Sequence, residues 1–294
     1  MDHPKLIYIL GSGAIGSIFG ARLSEKYPVI LIGRKNTVNS INRHGLKLKG
    51  LINKTYKLKA QEKITNIPQS TIIFLTTKVN DSRSALLHIK NLVKRDTVLV
   101  ILQNGVNQEE EYKKILKCHV IRAVSQCGAS SSEPGLIRFN GDSTTFVEKN
   151  GMEIAKILIN VGFKAELVDN IKIKEWEKLI VNCVINGLGS ILRVKNNQLA
   201  DPGLKELKTD LINECLAVSK ANGIIFTKNI SKMIDDYIPL SANTNSTLQD
   251  LNRGKKTEID YLNGEIVKLG KKYGINTPVN KTLYYLIKSL ETNN

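Results

Sequence analysis

Apolar runs in the first half of the chain alternate with stretches of helical spacing. The runs are short and unbroken, and they occupy residues 6–10, 29–32, 71–76, 97–102 and 120–124. Such runs, bounded by turn residues, are typical of strands that are buried on both faces. Helical spacing follows the first run and recurs at 80–94 and 107–117. The alternation predicts an α/β fold that begins with a Rossmann-type, doubly wound parallel sheet.

The pattern changes after residue 125. Glycine and proline separate two short runs, 136–139 and 144–147, and this predicts a hairpin. A helix at 151–160 and a strand at 164–168 follow. Beyond them we expect only helices, at 172–192, 203–222, 229–236, 241–252, 256–273 and 279–290. The chain is thus predicted to form a sheet domain at 1–169 and an all-helical domain at 170–294, closely packed with a cleft between them.

A glycine-rich turn joins the first apolar run to the first helix. It reads Gly11-Ser12-Gly13-Ala14-Ile15-Gly16. Between a strand and a helix, Gly11 permits the tight turn, Gly13 lets a pyrophosphate approach the backbone, and Gly16 lets the helix pack close to the strand. Free amides at the helix N-terminus attract phosphate. The motif predicts a dinucleotide site, and a purely structural glycine turn is the alternative.

The residues after the second apolar run favour NADPH over NADH. An NAD-type site places Asp or Glu about 20 residues after the glycine motif, whereas this chain has Arg34 and Lys35. A guanidinium holds a 2′-phosphate with a fork of donors, and the lysine adds a second positive charge. The alternative is that both residues are solvated cations of a basic protein.

Two more polar residues, Lys78 and Asn104, come directly after the runs at 71–76 and 97–102. Ligands of open α/β sheets bind at the carboxyl ends of the strands. We therefore expect both side chains near the cofactor, with ordinary loop residues as the alternative.

A polar stripe follows one face of the predicted helix at 172–192. It consists of residues at a spacing of four, namely Lys178, Asn182, Asn186 and Ser190. The rest of that helix is apolar nearly all round, which indicates burial. Because an unpartnered buried amide costs about 2 to 7 kcal/mol, the stripe must face polar groups. A substrate pocket at the cleft is the favoured interpretation, and a structural hydrogen-bond network is the alternative.

Glu258 belongs to a second polar stretch, at 243–264. It falls at the start of the predicted helix at 256–273, where the helix dipole stabilises a carboxylate, so a structural role competes with a functional one. Spacing alone does not connect Glu258 to Lys178. Histidines occur only at 3, 44, 88 and 119. Acid–base chemistry in the C-terminal half must therefore use Lys, Glu, Asp or Tyr.

Charge and composition exclude several classes of protein. Lys and Arg number 43 against 27 Asp and Glu, a net charge of +16. The cations are interspersed and aromatic residues are only 5%, so we expect anionic small molecules as partners and no nucleic acid. The four cysteines form no CxxC pair, which argues against metal and disulfides. No run approaches the roughly 18 to 20 apolar residues of a membrane helix, and we see no signal peptide, so a cytoplasmic location is expected. A homodimer and a monomer are both open.

The motifs, taken in order, resemble the ketopantoate reductase (2-dehydropantoate 2-reductase) family. The segments that carry the resemblance are GSGAIG at 11–16, TTK at 76–78, QNG at 103–105, CGASSSEPGLIRFNG at 127–141, WEKLIVNCVIN at 176–186 and STLQDLNRGKKTEIDYLNG at 246–264. The resemblance implies a Rossmann domain followed by a helical domain. It also implies NADPH-dependent reduction of 2-dehydropantoate to pantoate, a step of pantothenate and coenzyme A biosynthesis.

The resemblance also implies roles for individual residues. Lys178 matches the catalytic lysine, the general acid, and Glu258 the active-site glutamate. The implied ligands are Asn182, Asn186 and Ser246 for substrate, Asn104 for substrate and nicotinamide, and Lys78 and Arg34 for the cofactor. Three alternatives stay open: a reductase of another 2-oxo acid, a 3-hydroxyacid dehydrogenase-like enzyme, and an NADPH sensor without turnover. The polar set of Lys178 and Glu258 with its substrate ligands argues against the sensor.

Overall fold

The chain divides into two units, and a short segment after residue 103 belongs to the second of them. The computed structural model describes residues 4–141 and 144–292. The first unit is Met1–Gln103 and Asn107–Ile171, and the second is Asn104–Val106 and Lys172–Asn294. Three residues of the second unit therefore interrupt the first unit in sequence.

A central sheet of eight strands organises the first unit. The strands described in this unit are β1 (Leu6–Leu10), β2 (Val29–Ile32), β3 (Leu46–Gly50), β4 (Lys54–Tyr56), β5 (Lys59–Gln61), β6 (Thr71–Leu75), β7 (Val98–Ile101), β8 (His119–Ser125), β9 (Gly128–Glu133), β10 (Leu136–Gly141), β11 (Thr145–Glu148) and β12 (Ala165–Val168). The central sheet has the order β12-β11-β8-β7-β6-β1-β2-β5. Neighbours from β8 to β5 run parallel. β11 is antiparallel to β8 and parallel to β12.

Helices cover both faces of this sheet. They are α1 (Ala14–Leu23), α2 (Lys35–His44), α3 (Val79–Ile89), α4 (Glu109–Ile115) and α5 (Met152–Asn160). Along β1, Ile7 and Ile9 belong to one apolar core with residues of α1 and α5. The alternate residues Tyr8 and Leu10 belong to a second core with residues of α3 and α4. Successive side chains of a strand point to opposite faces, so the two cores confirm the predicted doubly wound sheet.

The predicted hairpin between 136–139 and 144–147 is wrong. β10 pairs antiparallel with β9 and parallel with β3, in a separate sheet of order β4-β3-β10-β9. β11 instead joins the central sheet. The hairpin turn lies at Gly135, whose φ is +78°, so it precedes the first of the two runs. β9 has the sequence GASSSE, and its lack of apolar residues is the reason why its strand was not predicted.

The segment between β2 and β6 holds elements that the apolar pattern does not reveal. α2 buries only Val38 and Ile41, and β3, β4 and β5 are three to five residues long. Short, half-exposed elements of this kind carry too few apolar positions to show a period.

The second unit is built from helices. Those that the structure describes are α6 (Ile171–Ile191), α7 (Lys205–Ala221), α8 (Ile230–Tyr237), α9 (Ser246–Leu251), α10 (Asn263–Tyr273) and α11 (Pro278–Thr292), with short 3-10 helices between some of them. Trp176, Leu179 and Cys183 of α6 are buried in one core with residues of α7, α10 and α11. The prediction of a helical C-terminal part is confirmed for the described residues.

The predicted helix at 241–252 begins later than expected. α9 starts at Ser246 because the side chain of Asn245 accepts a hydrogen bond from the N–H of Leu248 at 2.8 Å. This contact is an N-cap, which satisfies one of the free amides of the first turn. The residues at 241–245 are therefore outside the helix.

The predicted helix at 256–273 is two elements. A 3-10 helix at Ile259–Tyr261 comes first, and α10 begins at Asn263. Leu262 separates them with φ −112° and ψ −107°. Apolar residues three and four apart can belong to either type of helix, so the spacing concealed the break. Glu258 consequently precedes a 3-10 helix and not the first turn of a long α-helix.

No helix in the described part of the chain is both long and apolar enough to cross a membrane. Over the same residues, no cluster of three or more His, Cys, Asp and Glu side chains has the arrangement of metal ligands.

Candidate functional site

The glycine turn of the first unit has the close backbone approaches that the motif predicts. Gly11 has φ +120°, and a Cβ at this position would lie 2.5 Å from the backbone nitrogen of Thr77. A Cβ at Gly16 would collide with the carbonyl oxygen of Gly11. A side chain is therefore excluded at both positions by neighbouring backbone.

Gly13 differs from the other two glycines of the motif because the space around it is open. It is the exposed N-cap of α1, and a Cβ there would meet nothing within 4 Å. The first amides of α1 have no acceptor within the helix. An uncrowded helix N-terminus with a glycine at its cap fits a phosphate group that approaches the backbone.

Ser12, Ala14 and Ile15 complete the motif in different ways. Ala14 and Ile15 are half-buried and pack against the core of the first unit. Ser12 lies against Gly33, since a Cβ on Gly33 would collide with the hydroxyl oxygen of Ser12. The glycine turn thus touches the residue that follows β2.

Arg34 comes next and caps the N-terminus of α2. Its side chain is 81% exposed, and its Nη2 lies 3.6 Å from Oδ2 of Asp81, which is 57% exposed. A pair this exposed contributes only about 0 to 1 kcal/mol. The guanidinium can therefore exchange this carboxylate for another anion at small cost.

The end of β6 is tied to the end of β7. The amide of Gln103 donates to the carbonyl oxygen of Thr77 and to the hydroxyl of Ser82, and Gln103 accepts from the hydroxyl of Tyr112 at 3.1 Å. Lys78 lies in this turn as the half-buried N-cap of α3. The structure therefore places Lys78 at the carboxyl end of a sheet strand, as predicted.

The C-terminal half of the α6 stripe packs against α9. Asn186 is 3% exposed, and its Nδ2 donates to the hydroxyls of Ser246 at 3.1 Å and Thr247 at 3.2 Å. Ser190 is fully buried and donates at 3.0 Å to Oδ1 of Asn245, the N-cap of α9. At Asn186 and Ser190, therefore, the structure shows the hydrogen-bond network that was the alternative to a substrate pocket.

Lys178 and Asn182, the N-terminal half of the stripe, are half-buried. They lie on the same face as Asn186, Asn182 about one turn and Lys178 about two turns before it. A ligand can therefore reach these two side chains more easily than Asn186 and Ser190.

Glu258 is half-buried and accepts a hydrogen bond at 3.1 Å on Oε2 from Nδ2 of Asn104. Both residues belong to the second unit, because the segment Asn104–Val106 groups with it. Val106 is 5% exposed and lies in the same core as Trp176, which anchors the segment. The structure thus brings together two predicted site residues that are 154 positions apart.

The segment after Glu258 also contacts α6. Nδ2 of Asn263 donates to the carbonyl oxygen of Cys183 at 3.2 Å, and a Cβ on Gly187 would lie 3.3 Å from the Asn263 amide. α10 therefore begins against the middle of α6, at two residues that each follow a member of the stripe, Asn182 or Asn186.

Comparison with known proteins shows the family to which the chain belongs. A family model described as "Ketopantoate reductase PanE/ApbA" matches residues 7–151, and one described as "Ketopantoate reductase PanE/ApbA C terminal" matches residues 170–291. The chain belongs to the ketopantoate reductase family. A curated relative named 2-dehydropantoate 2-reductase, from Pyrococcus horikoshii, is 36% identical over an alignment of 304 positions, which covers 97% of this chain and 97% of that one.

Solved structures of the ketopantoate reductase fold agree with this assignment. A PanE/ApbA family ketopantoate reductase from Ralstonia eutropha JMP134 is similar with a TM-score of 0.92 and 30% identity, over 98% of this chain and 99% of that one. D-mandelate dehydrogenase, solved with NADH and anilino(oxo)acetate, has a TM-score of 0.91 and 27% identity over the same shares. The comparisons support an oxidoreductase, and they include relatives with different substrates.

Within this ketopantoate reductase family member, several polar contacts were not predicted from the sequence. Thr247 and Asn245 bind the α6 stripe, and Gln103 ties two strand ends together. Asn245 carries a recognisable signal, because Asn directly before Ser-Thr-Leu is typical of a helix N-cap. Gln103 carries none, since its partners are set by strand order and not by sequence spacing.

Proposed function

We propose that the chain catalyses the NADPH-dependent reduction of 2-dehydropantoate to pantoate, and so serves pantothenate and coenzyme A biosynthesis. The observation that carries the proposal is the hydrogen bond from Asn104 to Glu258, because it joins two matched motif positions in the same unit as the Lys178 stripe. Membership of the family supports the reaction type.

The residues of the first unit fit a dinucleotide phosphate. Gly11 and Gly16 allow the tight turn, the open cap at Gly13 leaves room for a pyrophosphate, and Arg34 offers an exposed guanidinium to the 2′-phosphate. Lys78, at the end of β6, adds a further positive charge. When bound, NADPH supplies a hydride for carbon 2 of the oxo acid.

The residues of the second unit would bind and protonate the substrate. Hydride addition turns the 2-oxo oxygen into an alkoxide that needs a proton, and Lys178 would donate it as general acid. Glu258 would accept a hydrogen bond from the distal hydroxyl of the substrate and orient the lysine, while Asn104 donates to Oε2 of Glu258. The remaining proposed contacts are Ser246 to the substrate carboxylate and Asn182 to the distal hydroxyl. Asn186, whose buried amide donates to the Ser246 hydroxyl, would act on the substrate by holding Ser246 in place.

A second candidate is the reduction of a different 2-oxo acid. The similarity to D-mandelate dehydrogenase with NADH and anilino(oxo)acetate favours it, because this fold then also accommodates an aromatic ligand and the cofactor without a 2′-phosphate.

Steady-state oxidation of NADPH and NADH with a panel of 2-oxo acids tests the proposal. The panel contains 2-dehydropantoate, an aromatic 2-oxo acid and an unbranched 2-oxo acid. We expect the highest kcat/KM for 2-dehydropantoate with NADPH. Higher kcat/KM for the aromatic acid would establish the second candidate, and NADPH binding without turnover of any acid would indicate a sensor.

A further inference from the structure

The turn that carries Glu258 is attached to α11, the last helix of the chain. The backbone N–H of Thr257 donates to Oε1 of Glu291 at 2.7 Å, and the Thr257 hydroxyl donates to the same oxygen at 2.6 Å. Thr257 is fully buried, and the Glu291 side chain is 8% exposed. These are short, charge-assisted hydrogen bonds shielded from water, the strong kind.

A second attachment lies on the other side of Glu258. Asp260 accepts from the hydroxyl of Tyr284 at 2.9 Å and from Nζ of Lys288 at 3.2 Å. The same Lys288 ammonium lies 2.8 Å from Oε2 of Glu291. The Lys288 ammonium lies between the carboxylates of Asp260 and Glu291. Residues 257 and 260 are therefore held against successive turns of α11.

The two oxygens of Glu291 have separate partners. Oε1 holds Thr257, and Oε2 holds Lys288. Burial acts to raise the pKa of Glu291, but the hydrogen bonds from Lys288 and Thr257 outweigh it, and the pKa lies below its ordinary value. The carboxylate is therefore ionised at neutral pH and accepts at both oxygens.

The backbone around Glu258 follows from these attachments. The Thr257 hydroxyl also accepts from the N–H of Ile259 at 3.2 Å, and the carbonyl of Glu258 accepts from the N–H of Tyr261 at 2.9 Å. The backbone on both sides of Glu258 is thus held by hydrogen bonds, which fixes the point from which its side chain extends.

We propose that Glu291 is a positioning residue, which acts through Thr257 to hold the Glu258 carboxylate where it meets Asn104 and the 2-oxo acid. The proposal rests on the proposed function, because it assumes that Glu258 contacts the substrate. It assigns to the last turn of the chain a task in substrate binding, although no residue there belongs to a motif that the sequence singled out.

The test compares Glu291→Ala with Glu291→Gln. Alanine removes both oxygens, whereas glutamine keeps an oxygen for Thr257 and loses only the partner of Lys288. We expect Glu291→Ala to raise the KM for 2-dehydropantoate about tenfold, the equivalent of one lost hydrogen bond. NADPH affinity should not change, and Glu291→Gln should restore a KM close to that of the parent.

Glu214→Ala is the matched structural control. Its carboxylate accepts from the N–H groups of Val279 and Asn280 at 2.7 and 2.9 Å, at the opposite end of α11. Glu214→Ala should destabilise α11 without raising the KM for 2-dehydropantoate. An equal rise of KM in Glu214→Ala and Glu291→Ala would overturn the proposal, as would a glutamine variant no better than alanine.

Two further variants keep the outcome decisive. If Glu291→Ala does not fold, Glu291→Asp takes its place, since aspartate keeps the charge beside Lys288 but withdraws the carboxylate by one methylene from both donors of Thr257. A parental KM in that variant refutes the proposal. Glu258→Gln separates the proposed role of Glu258 in substrate binding from the positioning role of Glu291. If Glu258→Gln leaves the KM unchanged, the proposed function fails at Glu258; if it raises the KM and Glu291→Ala does not, only the positioning role fails.

Discussion

Arg34→Ala tests cofactor choice with little risk to the fold. The side chain is 81% exposed and its ion pair with Asp81 spans 3.6 Å, so its loss should cost at most about 1 kcal/mol of stability. In a chain of this size that is a fall in Tm of no more than about 2 to 4 °C. Any larger effect on cofactor binding must then come from the cofactor contact itself.

The expected effect on NADPH is large. A hydrogen bond between a guanidinium and a phosphate contributes about 1.5 to 3 kcal/mol, which corresponds to roughly 10- to 150-fold in affinity. NADH lacks the 2′-phosphate, so its affinity should change by less than about twofold. Titration of each cofactor, followed by nicotinamide fluorescence, gives both dissociation constants for the parent and the variant.

Asp81→Asn is the companion variant, which should change NADPH affinity in the opposite direction. It removes a carboxylate that competes for Arg34, and two unit charges at this separation in water interact by about 1 kcal/mol. NADPH affinity should therefore rise by up to about fivefold at low salt and by less at high salt. Equal weakening of NADPH and NADH by Arg34→Ala would refute the assignment of the 2′-phosphate site, and so would an unchanged NADPH affinity.

Three more predictions concern the second unit. Lys178→Ala should lower kcat about 10²- to 10⁴-fold with unchanged NADPH affinity, because it removes the proposed proton donor; a kcat near the parent's would contradict the role. Asn186→Ala should cost about 1 to 3 kcal/mol in urea unfolding, since its buried amide donates to two hydroxyls, whereas the half-buried Asn182→Ala should act mainly on substrate KM. Because the hydrogen bonds of Glu291 outweigh the effect of burial and lower its pKa, its charge stabilises the fold above the ordinary glutamate value of about 4.3. In urea unfolding, the parent should therefore have a larger free energy of unfolding than Glu291→Gln at neutral pH, and this difference should be lost on acidification. The same difference under acid conditions would refute the reasoning.

The sequence was a good guide where an element is long or buried on all sides. β1, β6 and β7 are continuous apolar runs, and α6 has both apolar periodicity and a polar stripe, so the sheet and the central helix were predicted. β9 and α2 were not, because their stability comes from pairing and packing with distant segments rather than from their own apolar content.

The candidate site shows the same limit. The stripe predicted that polar groups lie beside α6, but it did not show that Ser190 is buried against a helix cap while Lys178 is only half-buried. The expected position of Glu258 at the start of a long α-helix, on which its alternative structural role rested, is wrong, because a 3-10 helix and a helix break preserve apolar spacing. Contacts between residues such as Asn104 and Glu258 depend on topology, which a spacing pattern does not contain.

The segment Asn104–Val106 has a consequence for any attempt to take the chain apart. Because the second unit is made of two separate stretches of sequence, a fragment that starts at Lys172 lacks the buried Val106 side chain from the core around Trp176, a loss of roughly 1 to 3 kcal/mol. It also lacks the donor to Glu258. Exchange of helical units between relatives would have to carry these three residues along, so the stretch of chain needed to rebuild the candidate site is longer than the helical sequence that follows residue 171.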